Sequence, residues 1–224
     1  MWFRPRRGAP TETGRLEAFS DGVFAVAITL LALDLARIHA DEGATPPVTL
    51  FESLATQWPT LLAFAGAFAF VGIAWTNHHN VLMRVKSVSR SLNGANLVLL
   101  AGIVVVPWAT SNLAEALGTP GAEAGRQAIL LYAAVTMAGS VTWGLLFHVL
   151  ASSPELLGDP AHVRGFMTDR AASAIGIGTT AGAAAIGWFV SPILATALLA
   201  LLPLIYAVGS EGFERTDGRA AEPT

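Results

Sequence analysis

RLEAFSDGVFAVAITLLALDL, residues 15–35, is an apolar run long enough to span a bilayer. At about 1.5 Å per residue, some 20 helical residues cross the hydrocarbon core of a bilayer, which is roughly 30 Å thick. The stretch nevertheless carries Asp21 and, near its end, Asp34. An Asp at the bilayer centre costs roughly 2.5–3.5 kcal/mol even on the mildest scale, so both carboxylates are expected to face protein or water. We therefore predict a functional helix here and not a simple anchor.

The composition is that of a membrane protein. Of 224 residues, 53% are hydrophobic and 13% are charged, whereas soluble domains are about a quarter charged. The formal net charge is −3 and no basic block with interleaved aromatic residues occurs, so nucleic-acid binding is not predicted. The sequence has no cysteine, which excludes disulfides, thiolate metal sites and a cysteine nucleophile.

Six apolar segments predict six transmembrane helices, so the expected fold class is an all-α membrane protein. They cover about 16–36, 56–82, 91–113, 126–151, 166–189 and 191–209. Ser191-Pro192 leaves almost no loop between the last two. Because a proline disfavours helix at the residue before it, a tight helical hairpin is predicted there.

The distribution of Lys and Arg predicts the orientation. With six spans, eleven of these residues fall on the side of both termini and two on the other. Both termini are therefore predicted to be cytoplasmic, in a multi-pass protein of the plasma membrane. The predicted domains are a basic tail over 1–14, a six-helix transmembrane domain over 15–210 and a cytoplasmic C-terminal tail over 211–224.

One stripe of the first helix has the spacing of a single helical face. Its members are Val26, Thr29, Leu30, Leu33 and Arg37. The opposite side of the helix is equally apolar, so periodicity does not say which face meets lipid. From composition alone, these residues could be ordinary packing residues.

Polar side chains on the first three predicted helices lie at a similar depth: Ser20, Asp21, His78, His79 and Asn96. Buried polar groups in a membrane need partners, so an interhelical hydrogen-bond network is predicted. Adjacent histidines could suggest a metal or haem site, but neighbours on a helix point about 100° apart. No metal and no other cofactor is therefore predicted. The sequence has no Gly-rich phosphate loop, GxSxG or HExxH motif, so no enzyme is predicted either.

Three motifs resemble those of the TMEM175 family of potassium channels. The first, R-x-x-x-F-S-D at residues 15–21 followed by GVFAVAITLLALDL, resembles the family's first helix. The second, W-x-x-H-H at 75–79, resembles its second helix, and Leu92-Asn93 followed by Pro107 resembles its third. The six-span length agrees, and a chain with one such unit resembles the prokaryotic form.

The resemblance implies a homotetramer in which the first helix of each subunit lines a central pore. It places the hydrophobic pore positions on Val26, Leu30 and Leu33, with Thr29 as the polar position between them. The family usually has Ile at the first of these, so Val26 removes a methylene from the constriction. The resemblance also implies a structural polar network that holds the pore helix in place: Arg15, Phe19, Ser20, Asp21, Trp75, His78, His79 and Asn96.

The predicted function is that of a leak-type, potassium-preferring cation channel, with K⁺ as the permeating ion and membrane lipids and further copies of the chain as partners. The sequence has no TVGYG-like carbonyl filter, so selectivity would come from a narrow apolar constriction. One helix cannot surround a pore, so the hypothesis requires an oligomer with closed symmetry. The alternative is a proton-coupled transporter of small solutes or ions that uses Asp21 or Asp34 as a protonatable relay.

Overall fold

The computed structural model describes residues 12–33, 35, 49–118, 121–159 and 161–203. This part of the chain is helical, with a short 3-10 turn at Pro154–Leu156. The α-helices are α1 Glu12–Ala32, α2 Leu50–Thr56, α3 Trp58–Leu82, α4 Arg90–Gly118, α5 Ala122–Ser152, α6 His162–Phe189 and α7 Pro192–Pro203.

Four of the helices, α3 to α6, are long and apolar enough to cross a membrane. They coincide with the second to fifth predicted spans within a few residues. The first and sixth predicted spans correspond to α1, which is rich in charged residues, and to α7, which is short over its described residues. The all-helical membrane class is therefore shown, while six spans and cytoplasmic termini stay predictions. Residues 1–11 and 204–224, which include most of both predicted tails, lie outside the described residues, as does Asp34.

The short helix α2 differs from the prediction, which placed its residues in a loop and started the next span near 56. The Thr49 hydroxyl accepts a hydrogen bond from the Glu52 amide at 3.3 Å, and the Glu52 carboxylate accepts one from the Thr49 amide at 2.8 Å. This reciprocal pair is a capping box, and T-x-x-E is its sequence signal. The Thr49 hydroxyl also donates to the Glu52 carboxylate at 2.8 Å, and the bonds from the Thr49 amide and hydroxyl hold the pKa of Glu52 below its ordinary value. After α2, Pro59 lies in the first turn of α3, where its missing N–H costs nothing.

The subunit core lies where α4 meets α1 and α3, and α5 in turn packs against α4 and α6. The main cluster contains Phe24 and Leu31 of α1, Leu92 and Leu99 of α4, and Leu146 of α5, all almost fully buried. A second cluster near the start of α5 joins α4 to α6 and α7. Because α1 contacts both α3 and α4, one face of α1 is fixed by the rest of the subunit.

Glycines allow helices to approach closely at two of these contacts. A Cβ at Gly66 would lie 2.6 Å from Ala200 Cβ, and one at Gly187 would lie 2.6 Å from Ile129 Cγ2. Small residues at membrane helix contacts have this general use. They bring α3 against α7 and α6 against α5.

Two connections at the same end of the bundle are tied together by their backbones. The amide of Lys86 donates to the carbonyl of Leu156 at 2.8 Å, and the amide of Gly158 donates to the carbonyl of Arg84 at 3.0 Å. The α3–α4 connection is thereby fixed to the α5–α6 connection. At the other end, the predicted hairpin between α6 and α7 is present, and the amide of Ser191 bonds back to the carbonyl of Ile186 at 3.0 Å.

Candidate functional site

The two faces of α1 differ in burial although both are apolar. Ser20, Phe24, Ala27 and Leu31 are buried at 1% exposure or less. Their spacing of four, three and four residues places them on one helical face. This face packs against α3 and α4.

The opposite face of α1 carries the stripe that the sequence analysis singled out. Val26 is 56% exposed, Leu30 41% and Leu33 63%. Thr29 is also exposed, and its hydroxyl donates to the backbone carbonyl of Val26 at 2.8 Å, which leaves its oxygen lone pairs free to accept. The described part of the subunit therefore leaves these side chains exposed. Arg37, the last member of the stripe, lies outside the described residues.

Arg15 and Phe19 continue the same exposed stripe towards the start of α1. They precede Val26 by eleven and seven residues, spacings that return to the same face. Arg15 is exposed and Phe19 is 54% exposed. Within the subunit, the structure thus places both with the predicted pore positions and does not bring them together with the buried polar residues.

Three predicted network residues form a buried chain of hydrogen bonds across three helices. The amide nitrogen of Asn96 on α4 donates to the hydroxyl of Ser20 on α1 at 3.0 Å, and its amide oxygen lies 2.7 Å from His78 Nε2 on α3. Because that oxygen can only accept, His78 carries its proton on Nε2 in this arrangement. The Ser20 hydroxyl in turn donates to the carbonyl of Leu16 at 2.9 Å. All three side chains are at most 1% exposed. These hydrogen bonds therefore satisfy polar groups that neither lipid nor water could reach.

Two further side-chain contacts join α1 to α3. Trp75 Nε1 donates to the carboxylate of Asp21 at 2.8 Å. One turn away on both helices, His79 Nδ1 lies 2.8 Å from the carboxylate of Glu17. That Nδ1 has no hydrogen-bond partner among the described residues, so the contact is one of proximity and not a hydrogen bond. The rings of Trp75 and His79 stack at 6.2 Å.

Glu17 is the contact residue that the sequence analysis missed. Glu17 and Asp21 are four residues apart, as are Trp75 and His79, so each pair lies on one helical face. If α1 and α3 are taken as neighbours, these two equal spacings predict the contact between Glu17 and His79.

These polar groups join α1 to α3 and α4. The Asp21 carboxylate, one of the two proposed proton relays, accepts the indole N–H of Trp75. Among the described residues, no three His, Asp or Glu side chains cluster closely enough to form a metal site. Polar contacts on one side of α1 thus fix its rotation about its own axis, while the side that carries Val26 and Leu30 is exposed.

Such a bundle defines a class: a multi-pass, α-helical membrane protein. The family model of the endosomal/lysosomal potassium channel TMEM175 matches residues 15–107, from α1 into α4. Potassium channel B446_29190 of Streptomyces collinus is 38% identical over 198 residues, which cover 87% of this chain and 91% of that one. The chain belongs to the TMEM175 family, a family of channels and not of enzymes.

Two further comparisons agree. Potassium channel Cha6605_3372 of Chamaesiphon minutus is 38% identical over 151 residues, which cover 67% of this chain and 72% of that one. The crystal structure of a lysosomal potassium-selective channel TMEM175 homolog from Chamaesiphon minutus superposes with a TM-score of 0.74 at 32% identity. That match covers 89% of this chain and 98% of the other, so the fold extends over almost the whole of both.

Proposed function

We propose that this chain is the subunit of a leak-type, potassium-preferring cation channel of the cell membrane, with α1 lining the pore of a homotetramer. The exposed stripe of α1 carries the proposal. Val26, Leu30 and Leu33 keep between 41% and 63% of their surface uncovered by their own subunit. The names of the two bacterial relatives, both potassium channels, support the choice of ion.

The stripe has the dimensions of a short hydrophobic constriction. At about 1.5 Å per residue, Val26, Leu30 and Leu33 span roughly 10 Å along the helix axis. In a symmetric assembly each position becomes a ring of identical side chains. Narrow apolar rings resist wetting and can control permeation in place of a carbonyl filter. Thr29 adds hydroxyl oxygens that can accept contacts from a cation between the first two rings.

The polar contacts set which face of α1 the pore would see. One residue corresponds to about 100° of rotation in a helix. A rotation of that size would take Ser20 away from Asn96 and Asp21 away from Trp75, and would expose Phe24. The cost of breaking these contacts fixes the rotation that leaves Val26 uncovered.

A liposome flux assay tests the proposal. Purified protein reconstituted with a K⁺ gradient is expected to pass K⁺ down that gradient without a proton gradient, with a current that reverses at the K⁺ equilibrium potential. Empty liposomes are the control for leakage. Saturable flux that requires a proton gradient would contradict the channel and indicate the transporter. A well-folded oligomer that passes no K⁺ would also contradict it.

A further inference from the structure

A partly enclosed cavity of about 160 Å³ lies between α3, α5, α6 and α7, away from the exposed stripe of α1. Its walls include Phe70 of α3, Trp143 of α5, Thr180 of α6 and Leu199 of α7, and none of the residues that line it is charged. An apolar protein cavity of about 150 Å³ is large enough to bind benzene. The space therefore suits one ring-sized neutral molecule, and it offers no partner to an ion.

The polar groups of this cavity are not all satisfied by the protein. Thr136, Ser140 and Thr179 donate their hydroxyl groups to backbone carbonyls of their own helices. Thr180 is only 6% exposed, and no hydrogen bond to its hydroxyl is formed by the residues that the structure describes. The Thr180 hydroxyl is open to the cavity and able to bond with a molecule in it. A molecule that bonds with it would therefore gain more than its apolar contacts provide.

We propose that the cavity binds a small neutral amphiphile: a ring-sized apolar body carrying a hydroxyl group, as in phenols. The rings of Phe70 and Trp143 supply aromatic walls, against which another ring packs well. Thr180 and the amide of Asn77 supply hydrogen-bonding groups. A lipid acyl chain could enter the same space, but it would leave the Thr180 hydroxyl unpaired, so the lining favours the amphiphile.

The site is one side chain away from the polar contacts of α1. Trp143, which forms part of the cavity wall, packs edge-on against His78 with ring centroids 6.3 Å apart. His78 is bonded to Asn96, which is bonded to Ser20 of α1. A bound molecule would therefore touch a residue that supports the attachment of α1. Binding itself does not depend on whether the chain conducts ions.

Fluorine NMR with 4-fluorophenol as the probe tests the proposal on the full-length chain in detergent micelles. Line broadening of the probe is expected to saturate with wild-type protein. Thr180→Val removes the hydroxyl with little change of shape and should weaken binding several-fold. Ile73→Trp replaces an aliphatic side chain of the cavity wall with a bulky indole ring, which should fill the cavity and abolish saturable binding.

Two matched variants control for substitutions that do not reach the cavity. Thr168→Val removes an exposed hydroxyl on the same helix as Thr180, one that already bonds to the Arg164 carbonyl. Phe68→Trp enlarges an exposed ring on the same helix as Ile73. Both should bind the probe as the wild type does, and thermal unfolding of each variant checks that it is folded.

Three outcomes would overturn the proposal. Broadening that never saturates and is equal in all variants means that the probe only dissolves in the micelle. Saturable binding that survives Ile73→Trp places the site elsewhere. Binding unchanged by Thr180→Val means that no hydroxyl recognition occurs, and this variant decides the matter alone if Ile73→Trp does not fold.

Discussion

Replacing Asn96 with Leu should destabilise the subunit mainly because it leaves the buried His78 without a hydrogen-bond partner. The change removes both hydrogen bonds of the amide, at 3.0 Å to Ser20 and 2.7 Å to His78. Ser20 still donates to the Leu16 carbonyl, so it loses only an accepted bond. His78 is 1% exposed and would keep an unpaired N–H, which costs about 1–3 kcal/mol. We expect the free energy of unfolding to fall by about that amount.

A double-mutant cycle separates this mechanism from loss of packing. Replacing both partners of a buried hydrogen bond with apolar groups can be nearly neutral. The variant Asn96→Leu/His78→Phe should therefore be less destabilised than the sum of its two single variants, by about 1–3 kcal/mol. Unfolding by heat or SDS in detergent gives the four values. Asn112→Leu is the control, because Asn112 is exposed on the same helix and donates to the Trp108 carbonyl of its own helix at 2.8 Å. Strictly additive effects would refute the reasoning.

Two further predictions concern helix contacts. Gly66→Ala should lower the unfolding temperature because the new Cβ would lie 2.6 Å from Ala200 Cβ. The control is Gly72→Ala on the same helix, where a Cβ meets nothing within 4 Å and the change should be neutral or stabilising. Equal unfolding temperatures for the two variants would contradict the close approach of α3 and α7. Asp21→Ala should reduce the assembled fraction seen by light scattering, because the indole N–H of Trp75 loses its acceptor, at about 1 kcal/mol. Trp75→Phe should do the same, and a double variant much worse than either would argue against a shared bond.

Hydropathy predicted the long helices well because burial in lipid selects long uninterrupted apolar runs. The same property prevented the sequence from choosing a face of α1. Ala27 and Leu31 on the buried face are as apolar as Val26 and Leu30 on the exposed one. The choice is made by packing against α3 and α4, which no local pattern records.

The polar residues were predictable as a group but not as pairs. Depth in the membrane placed Ser20, His78 and Asn96 near one another, yet it could not show that Asp21 bonds to Trp75. The rotation of α3 relative to α1 decides those pairs, and it also brings Glu17 to His79. The cavity beside Trp143 is lined by four helices, so no local sequence pattern predicts it.

Leu30 is the position at which the proposed pore is tested most directly, by bi-ionic reversal potentials with K⁺ and Na⁺ on opposite sides. Leu30 is 41% exposed. Leu30→Ala removes three carbons from every side chain of the proposed ring, which should widen and hydrate it. The control is Ile28→Ala, because Ile28 is half-buried and packs against the core of its own subunit.

We predict that Leu30→Ala moves the reversal potential towards zero, with potassium preference reduced, while Ile28→Ala leaves it unchanged and lowers only stability. Leu30→Ser should act in the same direction by wetting the ring. Reversal potentials equal to the wild-type value in variants of Val26, Leu30 and Leu33 alike would contradict the claim that this stripe of α1 lines the pore.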